Sequence, residues 1–200
     1  VSIRARFLAA VAAAALVLGG CDQLGMPGKS PFQGIDVTGS ALGGELRLTD
    51  QDGKPRSLAD FKGKLVVVSF GFTHCPDVCP TTLADLAAAR RQLAGDASQV
   101  QVLFVTVDPK RDTTELLKQY VPAFDPTFIG LRGDEAATER VKKDFHVFSE
   151  ERAGKPGEAY TVDHSAQMYV VDRAGRMRLL WNPGTLPAVM ASDLRILLNS

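Results

Sequence analysis

Two cysteines four residues apart are the first groups in this sequence equipped for chemistry. Cys75 and Cys79 lie in Thr73-His74-Cys75-Pro76-Asp77-Val78-Cys79-Pro80, directly after an unbroken apolar run and directly before a segment of helical periodicity. A helix N-terminus offers unpaired N–H groups and a partial positive charge, which stabilise thiolate over thiol. The pair is therefore expected to be reactive or metal-binding. Residues i and i+4 of a helix hold their Cβ atoms about 5–6 Å apart, wider than the roughly 3.5–4.5 Å of a disulfide. A metal bridging two sulfurs spans that gap more easily. With Cys75 just ahead of the helix, as Pro76 permits, the pair also closes into a cystine, so one redox-active site alternates between disulfide and metal-loaded dithiolate. A purely stabilising disulfide here would close a very small loop and remove little entropy from the unfolded chain.

Two thiolates with one further ligand select soft or borderline metals, and copper is favoured when a single imidazole completes the set. Three histidines compete for that place. His74 adjoins Cys75, a backbone position that directs its ring away from a metal held by both sulfurs. His146, in Phe145-His146-Val147-Phe148, reads as a surface or core-edge imidazole. His164, in Thr161-Val162-Asp163-His164-Ser165, precedes the apolar segment at Met168. A lone histidine is more often structural than ligating, so spacing alone leaves the third ligand open. Asp108 and Asp163 are candidates to orient His164 or to bias partner docking; a helix cap or a solvated loop charge fits each equally well. Asp77 reads either as an exposed attractor for a cationic partner or as a turn residue after Pro76.

The elements that must position these groups follow from the hydrophobic period. Leu65 to Phe70 is apolar without alternation, the mark of a strand buried on both faces. A helix is expected from about Cys79 to Leu93, with Pro80 in its first turn and Leu83, Leu86, Ala87 and Leu93 on one face. Val100 to Val107 is a second buried strand, which makes a parallel crossover. The cysteines thus fall at the carboxyl end of a central strand, where open α/β sheets place ligands. Beyond it, Asp112-Thr113-Thr114-Glu115 opens a helix, Phe128 to Leu131 is a short strand and Asp134 to Asp144 a third helix. Met168 to Asp172 and Met177 to Trp181 flank a turn as an antiparallel hairpin. Leu186, Val189, Met190, Ile196 and Leu197 line the last helix. Upstream, a strand at Glu45 to Thr49 and a helical turn from Ser57 make an N-terminal hairpin extension. The expected fold class is α/β: a thioredoxin-like fold with a central mixed sheet flanked by helices. In such a fold the junction before Met168 faces the cysteine loop. Glu150 to Tyr160, containing Gly154, Pro156 and Gly157, reads as a mobile loop that controls how often His164 reaches the cysteines.

The first residues carry a different message. Arg4 and Arg6 precede the apolar run Phe7 to Leu18, which ends in Leu18-Gly19-Gly20-Cys21. This is the pattern of an export signal, and the run is short of the roughly 20 residues of a spanning helix. Its ending resembles the bacterial lipobox, which makes Cys21 the expected lipidated residue after removal of residues 1–20 and anchors the protein to membrane through buried acyl chains. Residues 21–34, rich in Gly and Pro, read as a flexible tether ahead of a domain at 35–200. Asp22 resembles the signal that retains lipoproteins in the inner membrane, so the expected place is its periplasmic face. With Cys21 capped by lipid, the odd cysteine is accounted for and one pair remains in an oxidising compartment. Lys plus Arg (23) balance Asp plus Glu (23), which removes the electrostatic basis for binding nucleic acid.

Gly71 through Pro80, then Val107-Asp108-Pro109 with Arg111-Asp112-Thr113, then Asp163-His164-Ser165 together resemble the Sco/SenC family over roughly Gly34 to Ser200. The resemblance implies copper ligation, as Cu(I) or Cu(II) and one per chain, by Cys75, Cys79 and His164. It also implies a role in assembling the binuclear copper centre of cytochrome c oxidase subunit II, with a copper donor and a periplasmic thiol reductant as further partners. The other reading is a thiol-disulfide oxidoreductase acting on that subunit's cysteines. Such exchange needs a nucleophilic and a resolving sulfur but no distal imidazole, and C-x-x-x-C departs from the usual C-x-x-C. A thiol peroxidase would use Thr73 but would want an Arg in the cysteine segment.

Overall fold

The computed structural model describes residues 30–157 and 159–200. The expected signal, residues 1–20, the expected lipid site Cys21 and the tether as far as residue 29 lie outside the described residues. No helix among the described residues is long and apolar enough to cross a membrane.

The centre of the fold is a parallel pair, β4 (Leu65–Gly71) and β5 (Val100–Thr106), in register from Leu65↔Val100 to Gly71↔Thr106. Every residue of both strands is buried, which is why neither shows alternation. Gln101, a polar exception in β5, donates its amide to the carbonyls of Val102 and Thr127. Helix α1 (Val78–Gln92) connects the pair and buries Leu83, Leu86 and Ala87. Helix α2 (Thr114–Tyr120), N-capped by Thr113, leads to β6 (Ile129–Arg132), which extends the parallel sheet beside β5.

Antiparallel strands complete the sheet on both sides. β9 (Met168–Val171) pairs with β4, β10 (Met177–Trp181) with β9, and the two-residue β1 (Ile35–Asp36) with β10. On the far edge, β2 (Leu48–Asp50) pairs with β6 and with β3 (Pro55–Arg56). The order among the described residues is β1-β10-β9-β4-β5-β6-β2-β3. The expected N-terminal hairpin is present, but shifted: Glu45 and Arg47 are exposed and paired with each other, and the strand starts at Leu48. Asp50 shapes its turn by accepting the N–H groups of Asp52 and Lys54 and the guanidinium of Arg56.

Helix α3 (Glu135–Asp144) starts on Asp134, whose carboxylate accepts the Ala137 N–H. It ends with His146 at φ +53°, the N–H of His146 bonded to the Lys143 carbonyl and that of Val147 to the Lys142 carbonyl. This is a Schellman C-cap, and His146 occupies the left-handed position usually given to Gly. Its exposed imidazole plays no part at the cysteines. Helix α4 (Pro187–Leu198) lies beside α1, with Arg195 bonded to the Gln92 carbonyl. Its buried Asp193 accepts the Trp181 indole N–H and the backbone N–H groups of Gln33 and Gly34. The end of the expected tether is thereby fastened to the domain.

One expectation about the backbone is corrected. Glu150 to Tyr160 is not loop throughout: β7 (Ser149–Arg152) and β8 (Thr161–His164) pair antiparallel as a separate two-stranded sheet, with Ser149 opposite His164. Alternation explains the miss. Along β8 only Val162 is buried, so a four-residue strand carries one apolar contact and little period to read.

Candidate metal centre

The strand-to-helix junction brings the two sulfurs together. β4 ends at Gly71, the chain turns through Phe72 to Asp77, and α1 begins at Val78 with Asp77 as its N-cap residue. Cys75 precedes the helix and is half-buried, whereas Cys79 lies in its first turn and is buried; both are free thiols. The Cys79 N–H donates to Cys75 Sγ at 3.4 Å, which places one of the unpaired N–H groups of the helix N-terminus on a ligand sulfur. Gly71 makes room for this packing. A Cβ at that position would stand 2.8 Å from Cys79 Sγ and 2.8 Å from Phe104 Cε2.

His164 reaches the same point from the end of β8, not from a loop. Its Nε2 lies 3.4 Å from Cys79 Sγ, and its Nδ1 lies 2.9 Å from the Ser165 carbonyl oxygen. A carbonyl only accepts, so Nδ1 carries the proton and the Nε2 lone pair faces the sulfurs. Phe72 packs edge-on against the ring, 5.8 Å between centroids. Among the described residues, Cys75, Cys79 and His164 are the group whose ligand atoms converge, all within 4.8 Å of one another. His74 is exposed, bonded to Thr73 Oγ1 at 3.1 Å.

The electrostatics differ from the sequence expectation at Cys79. The helix N-terminus favours thiolate, yet burial dominates and, with the hydrogen bond to Cys75 next, pushes this thiol well above the ordinary thiol range. Desolvation also lowers the His164 pKa below 6.5, against the smaller raising effects of the Ser165 bond and Asp163. The resting site is a neutral imidazole beside a protonated, buried thiol. A cation held by both sulfurs would have to displace the Cys79 proton, and the energy of two metal–sulfur bonds would be what drives it out.

The carboxylates expected to orient His164 do other work. Asp108 is buried and accepts from Arg111 Nε and from the Tyr160 hydroxyl at 2.8 Å. Asp163 is exposed and ion-paired to Arg152 at 2.8 Å. The ring's orienting partner is the Ser165 carbonyl, a backbone group that side-chain reasoning passes over. Asp77 is exposed at the helix N-cap without a side-chain cap bond.

The carboxylate bonded to the cysteine loop is Asp112, read from sequence as the start of a helix and as part of the family motif but given no role at the site. Fully buried, it accepts the Thr73 N–H at 3.0 Å, the Thr73 hydroxyl at 2.6 Å and the Thr106 hydroxyl at 2.6 Å. These bonds tie the loop that leads to Cys75 to the end of β5. The signal lay in the sequence as an Asp with two Thr residues at strand ends, but nothing in linear spacing joins positions 73, 106 and 112.

Comparison with known proteins agrees with this geometry. The SCO1/SenC family model matches residues 36–199. The mitochondrial protein SCO2 of Saccharomyces cerevisiae is 43% identical over 138 residues, 68% of this chain and 46% of its own length. A SCO2-like protein of Rickettsia conorii is 38% identical over 155 residues, 77% of this chain and 76% of its own. The chain spans about half the length of the yeast protein and of the bovine SCO2 homologue, 46% and 50%. Among solved structures, Bradyrhizobium japonicum ScoI with copper bound is 40% identical, with a TM-score of 0.72 over 78% of this chain and 99% of that one. A thioredoxin-like domain with this motif set, matched along nearly all of its described length, belongs to the SCO1/SenC family.

Proposed function

We propose that Cys75, Cys79 and His164 bind one copper ion as cargo, and that the chain carries it to the binuclear copper site of cytochrome c oxidase subunit II. The observation that carries this reading is the convergence of two sulfurs and one tautomer-fixed imidazole nitrogen within 4.8 Å. Two soft donors and one borderline donor suit Cu(I) through the sulfurs and Cu(II) with the imidazole added. The copper-bound state of the Bradyrhizobium relative supports the choice of metal. Cys75, half-exposed, is the sulfur that meets an incoming donor or acceptor first, and buried Cys79 with His164 closes the site behind it. Lipid on Cys21 holds the protein at the periplasmic face of the inner membrane, with residues 22–31 giving it reach. A copper donor loads it, and a thiol reductant keeps the pair open.

The closeness of two free thiols also favours the second reading, reduction of the oxidase subunit's own cysteines. Cys75 thiolate would attack the partner's disulfide and release one partner thiolate. Cys79 would then attack the mixed disulfide, leaving a Cys75–Cys79 cystine and a partner dithiol, with two electrons passed. Metal analysis of the reduced domain after exposure to copper separates the two. About one equivalent bound, and lost in Cys75→Ser and Cys79→Ser, is the expected result. No copper retained by a domain that still reduces a peptide disulfide would replace the first reading by the second.

A further inference from the structure

The strand that carries His164 is outside the main sheet, and a hairpin of two short strands is marginal by itself. What fastens its leading end is Arg111, in the turn after β5. The Arg111 guanidinium donates from Nη1 to the Tyr160 carbonyl at 2.7 Å and from Nε to Asp108, and its carbon stands 3.6 Å from the centre of the Tyr160 ring. The Tyr160 hydroxyl closes the loop by donating to Asp108 at 2.8 Å. Tyr160 is thus held by its carbonyl, its ring face and its hydroxyl, one residue before β8 begins. The same guanidinium lies 5.7 Å from the centre of the Phe72 ring, and Phe72 is the ring packed edge-on against His164. Both routes from Arg111, along β8 and across Phe72, end at the imidazole.

We infer that Arg111, clamped between Asp108 and Tyr160, is the positioning residue that sets the reach of His164 to the two sulfurs. The inference rests on the copper reading and adds to it the group that governs the third ligand. Asp108 thereby acts on His164 through Arg111 and Tyr160 and not by direct contact. A planar guanidinium can stack on a ring while bonding a carboxylate and a carbonyl edge-on; an ammonium cannot do both. Losing a hydrogen bond to a charged group changes an equilibrium by about tenfold or more.

The test compares wild type, Arg111→Lys and Tyr160→Phe, the last removing only the hydroxyl. Cu(II) and Cu(I) competition titrations, the thiolate-to-Cu(II) absorption band and hydrogen exchange of the metal-free protein are measured for each. The expected result is about a tenfold loss of Cu(II) affinity in Arg111→Lys and a smaller loss in Tyr160→Phe. Both variants shift the band and exchange the 161–164 amides faster, while Cu(I) affinity and exchange in β4 and β5 stay within about twofold of wild type. Equal loss of Cu(I) and Cu(II), or faster exchange throughout the sheet, would make Arg111 merely structural and overturn the proposal. Wild-type band and exchange in both variants would refute the clamp while leaving the copper reading intact. A wild-type protein that retains neither Cu(I) nor Cu(II) would instead remove the copper reading, and the clamp's purpose with it.

Discussion

Adding one methyl group at Gly71 tests how tightly the fold holds the site. The β4 backbone there accepts any residue, since Gly71 is not among the glycines with positive φ, so the cost of Gly71→Ala is packing alone. Carbon and its neighbours touch at about 3.5–4.0 Å, and the new Cβ would lie 2.8 Å from both Cys79 Sγ and Phe104 Cε2. Each contact is thus short by about 0.7 Å or more. Phe104 is fully buried in β5 with Tyr120 tilted against it at 5.9 Å, so it has little room to yield. The sulfur can rotate, but metal sites tolerate ligand shifts of only about 0.2 Å. Overpacking of this kind costs about 1–3 kcal/mol. If the sulfur stays, the cost appears in stability, roughly 2–4 °C of Tm per kcal/mol for a domain of this size. If it rotates, the metal-free protein keeps its Tm, and copper binding must restore the strain. A cost of about 2 kcal/mol then weakens copper roughly 30-fold. Thermal unfolding of the reduced metal-free protein and copper competition, run on the same variant, should show losses that together account for about 1–3 kcal/mol. Wild-type Tm with wild-type affinity would refute this account of the packing around Cys79.

The remaining predictions concern the ligands and their supports. His164→Ala should weaken Cu(II) far more than Cu(I) and abolish the thiolate-to-Cu(II) band while the Cys75–Cys79 disulfide still forms; equal loss in the paired competition titrations would remove His164 as a ligand. Burial holds the His164 pKa below 6.5, so the unfolded chain binds the extra proton first. Its contribution to metal-free stability is complete above about pH 6.5 and is lost as pH falls through the folded value; urea midpoints between pH 8 and 5 should fall less steeply in His164→Gln, and parallel curves would contradict the assignment. Asp112→Asn leaves three donors facing one neutral amide, two of them on Thr73. It should cost about 1–3 kcal/mol in urea unfolding and quicken hydrogen exchange around Cys75, an effect that Thr73→Val should reproduce in part.

Much of the scaffold was legible because its strongest signals are local. β4 and β5 were visible as apolar runs because both faces are buried, and α1 because Leu83, Leu86 and Ala87 repeat at helical spacing into the core. The hairpin of β9 and β10 was visible through its turn, where Asp172 accepts the Ala174 and Arg176 N–H groups and Gly175 takes φ +84°. Strands with few or no buried residues were misplaced or missed, β2, with two, by three residues at its start, and β7 and β8, with none and one, altogether. Weak burial leaves weak period.

At the site, the cysteines were readable from residue type and spacing, since four residues at a helix start allow few arrangements. The histidine's supports were not. Asp163 adjoins His164 in sequence, yet alternation along β8 turns its carboxylate outward to Arg152, and the ring is oriented by a backbone carbonyl instead. Asp112 and Thr73 are 39 positions apart and meet only because β4 and β5 pair in parallel and end together at Gly71 and Thr106. Arg111 and Tyr160 are 49 apart and meet because the β7–β8 hairpin folds back over the turn that follows β5. Ligand type is a local property, whereas ligand placement depends on which strand ends the topology brings level. The second property divides this site, because the imidazole is carried on a hairpin outside the main sheet whereas the sulfurs follow β4 and open α1. One half of the site is built into the core, and the other rides on a hairpin held by Arg111 at Tyr160, by Lys110 at Glu151 and by the buried side chain of Val162.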